Sequence, residues 1–186
     1  MTVAVAAPRA TLADLARVDG KAELVGGRLV LISPNGHLPS VVAGRVFLSL
    51  ADYTDKTGRG IASTGSMVFA VSALATGRES FSPDAAYYTG PLPADEMRFI
   101  EGAPDFAAEV RSAGDSGPAA EAAMAAKRAE YFEAGTRVVW DVDPVARLVR
   151  RYRPGEAAPS VFAAESEADA EPAVPGWRLA VDELMA

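Results

Sequence analysis

Two short apolar runs, DFAAEVR at 105–111 and RVVWDV at 137–142, enclose an alanine-rich stretch, PAAEAAMAAKRAEYFEAG, that reads as a helix. Asp115 or Ser116 supplies an opening cap, Pro118 sits in the first turn, and Gly135 marks the stop. Strand, helix and strand in that order commit this part of the chain to a sheet with helices packed on it.

The flanking sequence extends the pattern. Thr11 opens a short helix, TLADLARV, with Asp14 three residues on as its capping-box partner. AELVGGRLVLIS is a hairpin turning at Gly26-Gly27. From Leu38 to about Tyr53 the spacing is helical, with Val42, Val46, Ser49 and Tyr53 on one face. Strands are expected at 67–72 and 81–88 around a turn at Thr76-Gly77, and again in RLVRRYR and SVFAAE. VDELMA closes as a short helix, while the Ala/Glu/Pro-rich stretch 154–176 reads as looser. No internal repeat is evident. The expected fold class is α/β, a mixed central sheet flanked by helices.

Composition removes whole classes of function. The 186 residues contain no cysteine, which excludes disulfides, thiolate zinc sites, iron–sulfur clusters and cysteine nucleophiles. No apolar run reaches the ~20 residues that span a bilayer, and MTVAVAAPRATLADLA lacks the charge and apolar core of a signal peptide. A cytoplasmic protein is expected. Alanine supplies 38 of the apolar residues, so the core must come from the smaller set of bulky ones.

The net charge of −7 is unevenly spread. Residues 155–186 hold seven acids against Arg178, leaving residues 1–154 at −1. We divide the chain accordingly into a domain at 1–154 and an acidic extension at 155–186, packed on or trailing from it. The Arg147, Arg150, Arg151 and Arg153 cluster reads as a solvated edge strand more readily than as a phosphate surface.

Two motifs compete for the chemistry. GDSGP at 114–118 resembles the nucleophile loop of trypsin-like proteases, and His37, Asp84 and Ser116 even follow their chain order. A helix starting directly after the serine and the lack of a disulfide scaffold argue against it. Helix capping accounts for Asp115 and Ser116.

The stronger pattern is a set of carboxylates at strand ends. Asp84 lies in FSPDAAYY, and Glu109 comes 25 residues later in DFAAEVR. Glu109 and Arg111 share a strand face, and paired strands lie about 4.8 Å apart, so Asp84 on a neighbouring strand would approach Glu109. Two such carboxylates form an oxygen-rich site suited to Mg²⁺ or Mn²⁺ and to phosphodiester hydrolysis. Asp105 is too far along the strand, roughly 13 Å from Glu109, to share an ion with it. Glu109 in an apolar strand demands a partner, either an ion or an arginine such as Arg111 or Arg137.

The ordered set ELVGGRLVLISPNGH, SPDAAYY, PDFAAEVRS and KRAEYFEAGTRVVWDVDP resembles the Uma-two family of restriction-endonuclease-like proteins, within the PD-(D/E)XK nuclease superfamily. The resemblance spans about residues 24–144. It implies a restriction-endonuclease-like core, a DNA substrate, and Asp84 and Glu109 as metal ligands. It places Lys127, on the helix, where the family carries a lysine, while Arg111 stands where the wider superfamily has its water-positioning lysine. Arginine there stays charged but is a poor proton acceptor. Lys127 and Tyr131 share a helical face, and Tyr131 and Trp140 sit at core periodicity. Glu23 matches an accessory acidic position. His37, the only histidine, either caps the following helix, lines the site or contacts a scissile phosphate. The expected function is Mg²⁺-dependent DNA cleavage by a homodimer. The alternative is a catalytically silent, dimeric interaction protein that keeps the fold.

Overall fold

The strand–helix–strand unit forms the middle of a six-stranded mixed sheet in a computed structural model that describes residues 9–186. Half of the segment read for a signal peptide, residues 1–8, lies outside the described residues. Along the chain, α1 (Leu12–Leu15) leads into a hairpin of β1 (Ala22–Val25) and β2 (Arg28–Leu31). Long helix α2 (His37–Thr57) precedes β3 (Ile61–Thr64), β4 (Phe69–Ala70), β5 (Ser80–Phe81), β6 (Ala85–Tyr88) and β7 (Ile100–Glu101). Then come β8 (Phe106–Val110), α3 (Pro118–Ala134), β9 (Val138–Asp143), β10 (Leu148–Tyr152) and β11 (Ser160–Phe162). The chain ends with β12 (Glu167–Asp169), β13 (Arg178–Ala180) and α4 (Val181–Leu184).

The main sheet runs β11-β10-β9-β8-β6-β3. Its one parallel pairing is β8 with β9, the two strands joined through α3. A parallel connection needs a crossover of a dozen or more residues, and the alanine-rich helix is that crossover. On one face α2 buries Val42, Val46 and Leu50 against Tyr87, Phe106 and Trp140. On the other face, Tyr131 of α3 packs with Phe69, Phe81, Ala107 and Val139. Phe81 and Tyr131 stack with ring centres 4.1 Å apart.

Local chemistry explains most boundaries. Thr11 and Asp14 form the capping box, each side chain bonding the other's backbone N–H. Gly26 and Gly27 both have positive φ, as a two-residue hairpin turn of this twist requires. The run 81–88 is not one strand. Ser82 and Pro83 interrupt it, and proline brings no N–H to a ladder. The Ser82 hydroxyl donates to the carbonyls of Gly65 and Met67, and the chain passes from a three-stranded sheet (β5-β4-β7) into the main one. Asp84 emerges at that joint.

Further details depart from the sequence reading, beginning with the strand expected at 67–72, which is only Phe69–Ala70. Gly117, not Asp115 or Ser116, occupies the cap of α3 without a side-chain bond; Asp115 instead accepts from the Ser112 N–H and hydroxyl. Strand β10 is interior, between β9 and β11, and Arg151 is buried on Asp169. The stretch read as looser supplies core: Ala168, Ala170, Ala173 and Val174 pack on the α2 face. Trp177, directly after it, lies against Trp140 with ring centres 4.9 Å apart and planes tilted by 30°, and the Trp140 indole donates to the Asp169 carbonyl. Among the described residues no helix is long and apolar enough to cross a membrane.

Candidate active site

The strands end in carboxylates at one end of the sheet. Ala85 of β6 pairs with Ala108 of β8, which brings Asp84, just before β6, beside Glu109. The Asp84 N–H donates to the Ala108 carbonyl at 3.0 Å, and its Oδ2 accepts from the Val110 N–H at 2.9 Å. Asp84 is thus bonded to the residues on both sides of Glu109. One strand further, Asp141 of β9 lies in register with Glu109. These residues line a cleft of about 650 Å³ whose walls include Glu23, Lys127 and Tyr131, with loop residues 32–36 at its rim.

Helix α3 carries two groups into this cleft from one face, since residues four apart stand above each other. Lys127 Nζ lies 2.8 Å from Glu109 Oε1 and 3.0 Å from Glu23 Oε1. The Tyr131 hydroxyl donates to Glu109 Oε1 at 2.6 Å. Glu23, buried on β1, also accepts from the Ser82 N–H and from Arg78, whose Nε reaches Glu130 at 2.6 Å. A buried chain of alternating charge, Lys127–Glu23–Arg78–Glu130, therefore supports the floor. Alternation makes this burial tolerable, because each charge has an opposite neighbour and directed hydrogen bonds.

The electrostatics separate the two glutamates. Burial opposes the charge on Glu23, but Lys127, Arg78 and the Ser82 amide outweigh it and hold the carboxyl below its usual range. Burial pushes Glu109 up, and the charges of Asp84 and Glu23 add to the push against Lys127 and Lys21. Lys127 is raised above the usual lysine range: burial works against its charge, but Glu109 and Glu23 prevail. Burial and the same two carboxylates push the Tyr131 phenol well up, so it remains a donor.

Arg111 turns away from Glu109. Its Nε and one NH2 grip Asp141 at 2.6 and 2.7 Å, and its outer edge meets Glu121 on α3. Those bonds, to Asp141 above all, raise its pKa further. Glu109 takes Lys127 and Tyr131 as partners rather than Arg111; Arg137 lies against Asp105 instead. His37 is the first residue of α2 and is exposed, one residue beyond Gly36 at the cleft rim. Ser116 does not line the cleft, and among the described residues no hydrogen bond joins it to His37 or Asp84 as a protease triad would require.

Three contributors escaped the sequence reading: Lys21, whose Nζ is 2.6 Å from Asp84 Oδ1; Asp141; and the Tyr131 hydroxyl, in a residue assigned to the core. Asp141 was detectable. A carboxylate inside VVWDV poses the same demand for a partner as Glu109 inside FAAEV. Lys21 carried no local signal, since only the fold brings it 63 residues down the chain to Asp84.

Residues 10–182 match the family described as "Putative restriction endonuclease", Uma-two. The chain belongs to the Uma-two family. Among solved structures, the Uma-two chain is similar to a protein described as a putative nuclease belonging to DUF820 from Anabaena variabilis. The TM-score is 0.75 at 17% identity, over 94% of this chain and 97% of that one. The likeness establishes the restriction-endonuclease-like fold. No curated protein matches the sequence.

Proposed function

We propose that this Uma-two protein is a metal-dependent endonuclease that hydrolyses DNA phosphodiester bonds, with Asp84 and Glu109 holding Mg²⁺ or Mn²⁺. The observation that carries this reading is the bracketing of Glu109 by Asp84 at the floor of an open cleft, with Lys127 on the glutamate. The donor set fits a hard cation. It is all oxygen, and no group of three His, Cys, Asp or Glu among the described residues forms a cage. Mg²⁺ is commonly held by only one or two carboxylates, with water and substrate phosphate completing its shell. When bound, the ion supplies an activated water and neutralises charge developing on the phosphate.

The side chains divide the remaining work. Lys127 keeps its proton, and with two N–H groups directed to Glu109 and Glu23 it retains a third for a water or a phosphate oxygen. Tyr131 fixes Glu109 by donating to it and leaves the other carboxylate oxygen for a cation. Arg111 cannot act as a base; it places a fixed positive charge on the cleft wall. Glu23 positions Lys127. His37, exposed at the rim, suits contact with the DNA backbone outside the cleft. A two-fold homodimer in the cytoplasm would present one cleft to each strand of the duplex.

The test is cleavage of supercoiled plasmid in Mg²⁺ or Mn²⁺ by wild type, Asp84→Asn and Glu109→Gln. The expected result is metal-dependent nicking or linearisation that each substitution lowers by about a hundredfold or more. No cleavage by folded wild type under either metal would favour the silent, interacting relative instead.

A further inference from the structure

Only three lysines occur among the 18 basic residues, and two of them stand on the two carboxylates at the cleft floor. They are held differently. Lys127 is tied to both Glu109 and Glu23, so it keeps an anionic partner when either gives up an oxygen. Among the described residues, the Lys21 ammonium has Asp84 alone, at Oδ1. The other Asp84 oxygen is committed to the Val110 N–H. A cation approaching Asp84 through Oδ1 therefore meets the Lys21 ammonium.

The surroundings of Lys21 leave room for it to move. Its backbone is fixed, since its carbonyl accepts from the Ile32 N–H across the hairpin. Its side chain is 22% exposed and borders both the cleft and a second cavity of about 480 Å³, which is lined by Leu15, Val18, Val68 and Phe99. Gly65 stands against the lysine tip, where even a Cβ would come within 3.2 Å of Nζ. A lysine is a flexible point charge with three donors, able to exchange one anionic oxygen for another without losing its proton.

We propose that Lys21 is a displaceable counter-ion: it occupies the cation's place on Asp84 in the metal-free protein, and on metal binding moves to a substrate phosphate oxygen. The proposal rests on the metal-site reading above. It gives Lys21 two opposed effects, competition with the metal and attraction for the DNA backbone.

The experiment measures Mn²⁺ affinity by calorimetry without DNA for wild type, Lys21→Met, Lys21→Gln and Asp84→Asn. Affinity for a short duplex is then measured in Ca²⁺. Melting curves confirm that the variants fold; two neutral replacements of different polarity guard against one failing. The expected result is about tenfold tighter Mn²⁺ binding by both Lys21 variants, the size of one lost competing ion pair, with duplex affinity reduced several-fold. Unchanged or weaker Mn²⁺ binding by folded Lys21 variants, alongside loss of binding in Asp84→Asn, overturns the Lys21 role and leaves the metal site standing. Absence of saturable Mn²⁺ binding in wild type, or binding undiminished in Asp84→Asn, overturns both.

Discussion

Asp84 is hydrogen-bonded to both chain neighbours of Glu109, donating through its N–H to Ala108 and accepting at Oδ2 from Val110. The two carboxylates are thereby positioned by one backbone arrangement rather than by flexible side chains alone. Removing the Asp84 carboxylate leaves the Val110 N–H and the Lys21 ammonium without their acceptor. We expect Asp84→Ala to cost about 1–3 kcal/mol in urea denaturation. Wild-type stability in that variant would contradict the bracketing.

Asp141 holds Arg111 through two nitrogens and lies 3.5 Å from Arg128. Its replacement by alanine leaves guanidinium charge beside the sheet with, among the described residues, only Glu121, itself half-exposed, as a close acceptor of Arg111. The predicted loss is about 3 kcal/mol, read from the denaturation midpoint. Arg111→Lys, which keeps charge but loses the planar fork, should be intermediate. Equal stability of all three proteins would show that the fork is unimportant.

Asp169 gives a pH prediction. Burial works against its charge, but the Glu171 amide, Arg151 and Arg178 outweigh it and hold the carboxyl below its usual range. A carboxyl lowered on folding contributes stability above its unfolded pKa, about 3.9, and loses it as pH falls through the folded value. Asp169→Asn should therefore be less stable than wild type at pH 7, with the gap narrowing below about pH 4. Unfolding curves at pH 7 and pH 3 check this; a gap that stays constant refutes it.

The final 32 residues, 155–186, complete the core, since Trp177 packs on Trp140 and Phe106 and Val181 and Leu184 are buried in the same cluster on the α2 face. Trp177→Ala should cost about 3–5 kcal/mol. A chain ending at 154 should unfold without a cooperative transition, as monitored by circular dichroism. A sharp wild-type-like transition in the truncated chain would contradict this packing.

The elements with local signals were readable from sequence: the capping box at Thr11, the Gly26-Gly27 turn, the Gly135 stop and the apolar strands β8 and β9. The carboxylate positions at strand ends were readable too, because a charge inside an apolar run asks for a partner. What was not readable depends on tertiary neighbours. The Ala/Glu/Pro composition of 154–176 suggested a looser stretch, yet its small alanines, with Trp177 directly after them, pack into the core on the α2 face. Arg151 looked like part of a charged edge until β11 and Asp169 covered it. Lys21 reaches Asp84 only because the hairpin lies against the Ser82-Pro83 joint.

Whether Asp84 and Glu109 hold a cation is decided by divalent-ion binding, measured by calorimetry on wild type, Asp84→Ala and Glu109→Ala. Wild type is expected to bind Mn²⁺ and Mg²⁺ saturably, and either substitution to abolish binding in a protein that still folds. Wild type that binds neither ion at millimolar concentration, even with DNA present, would contradict the metal-site reading.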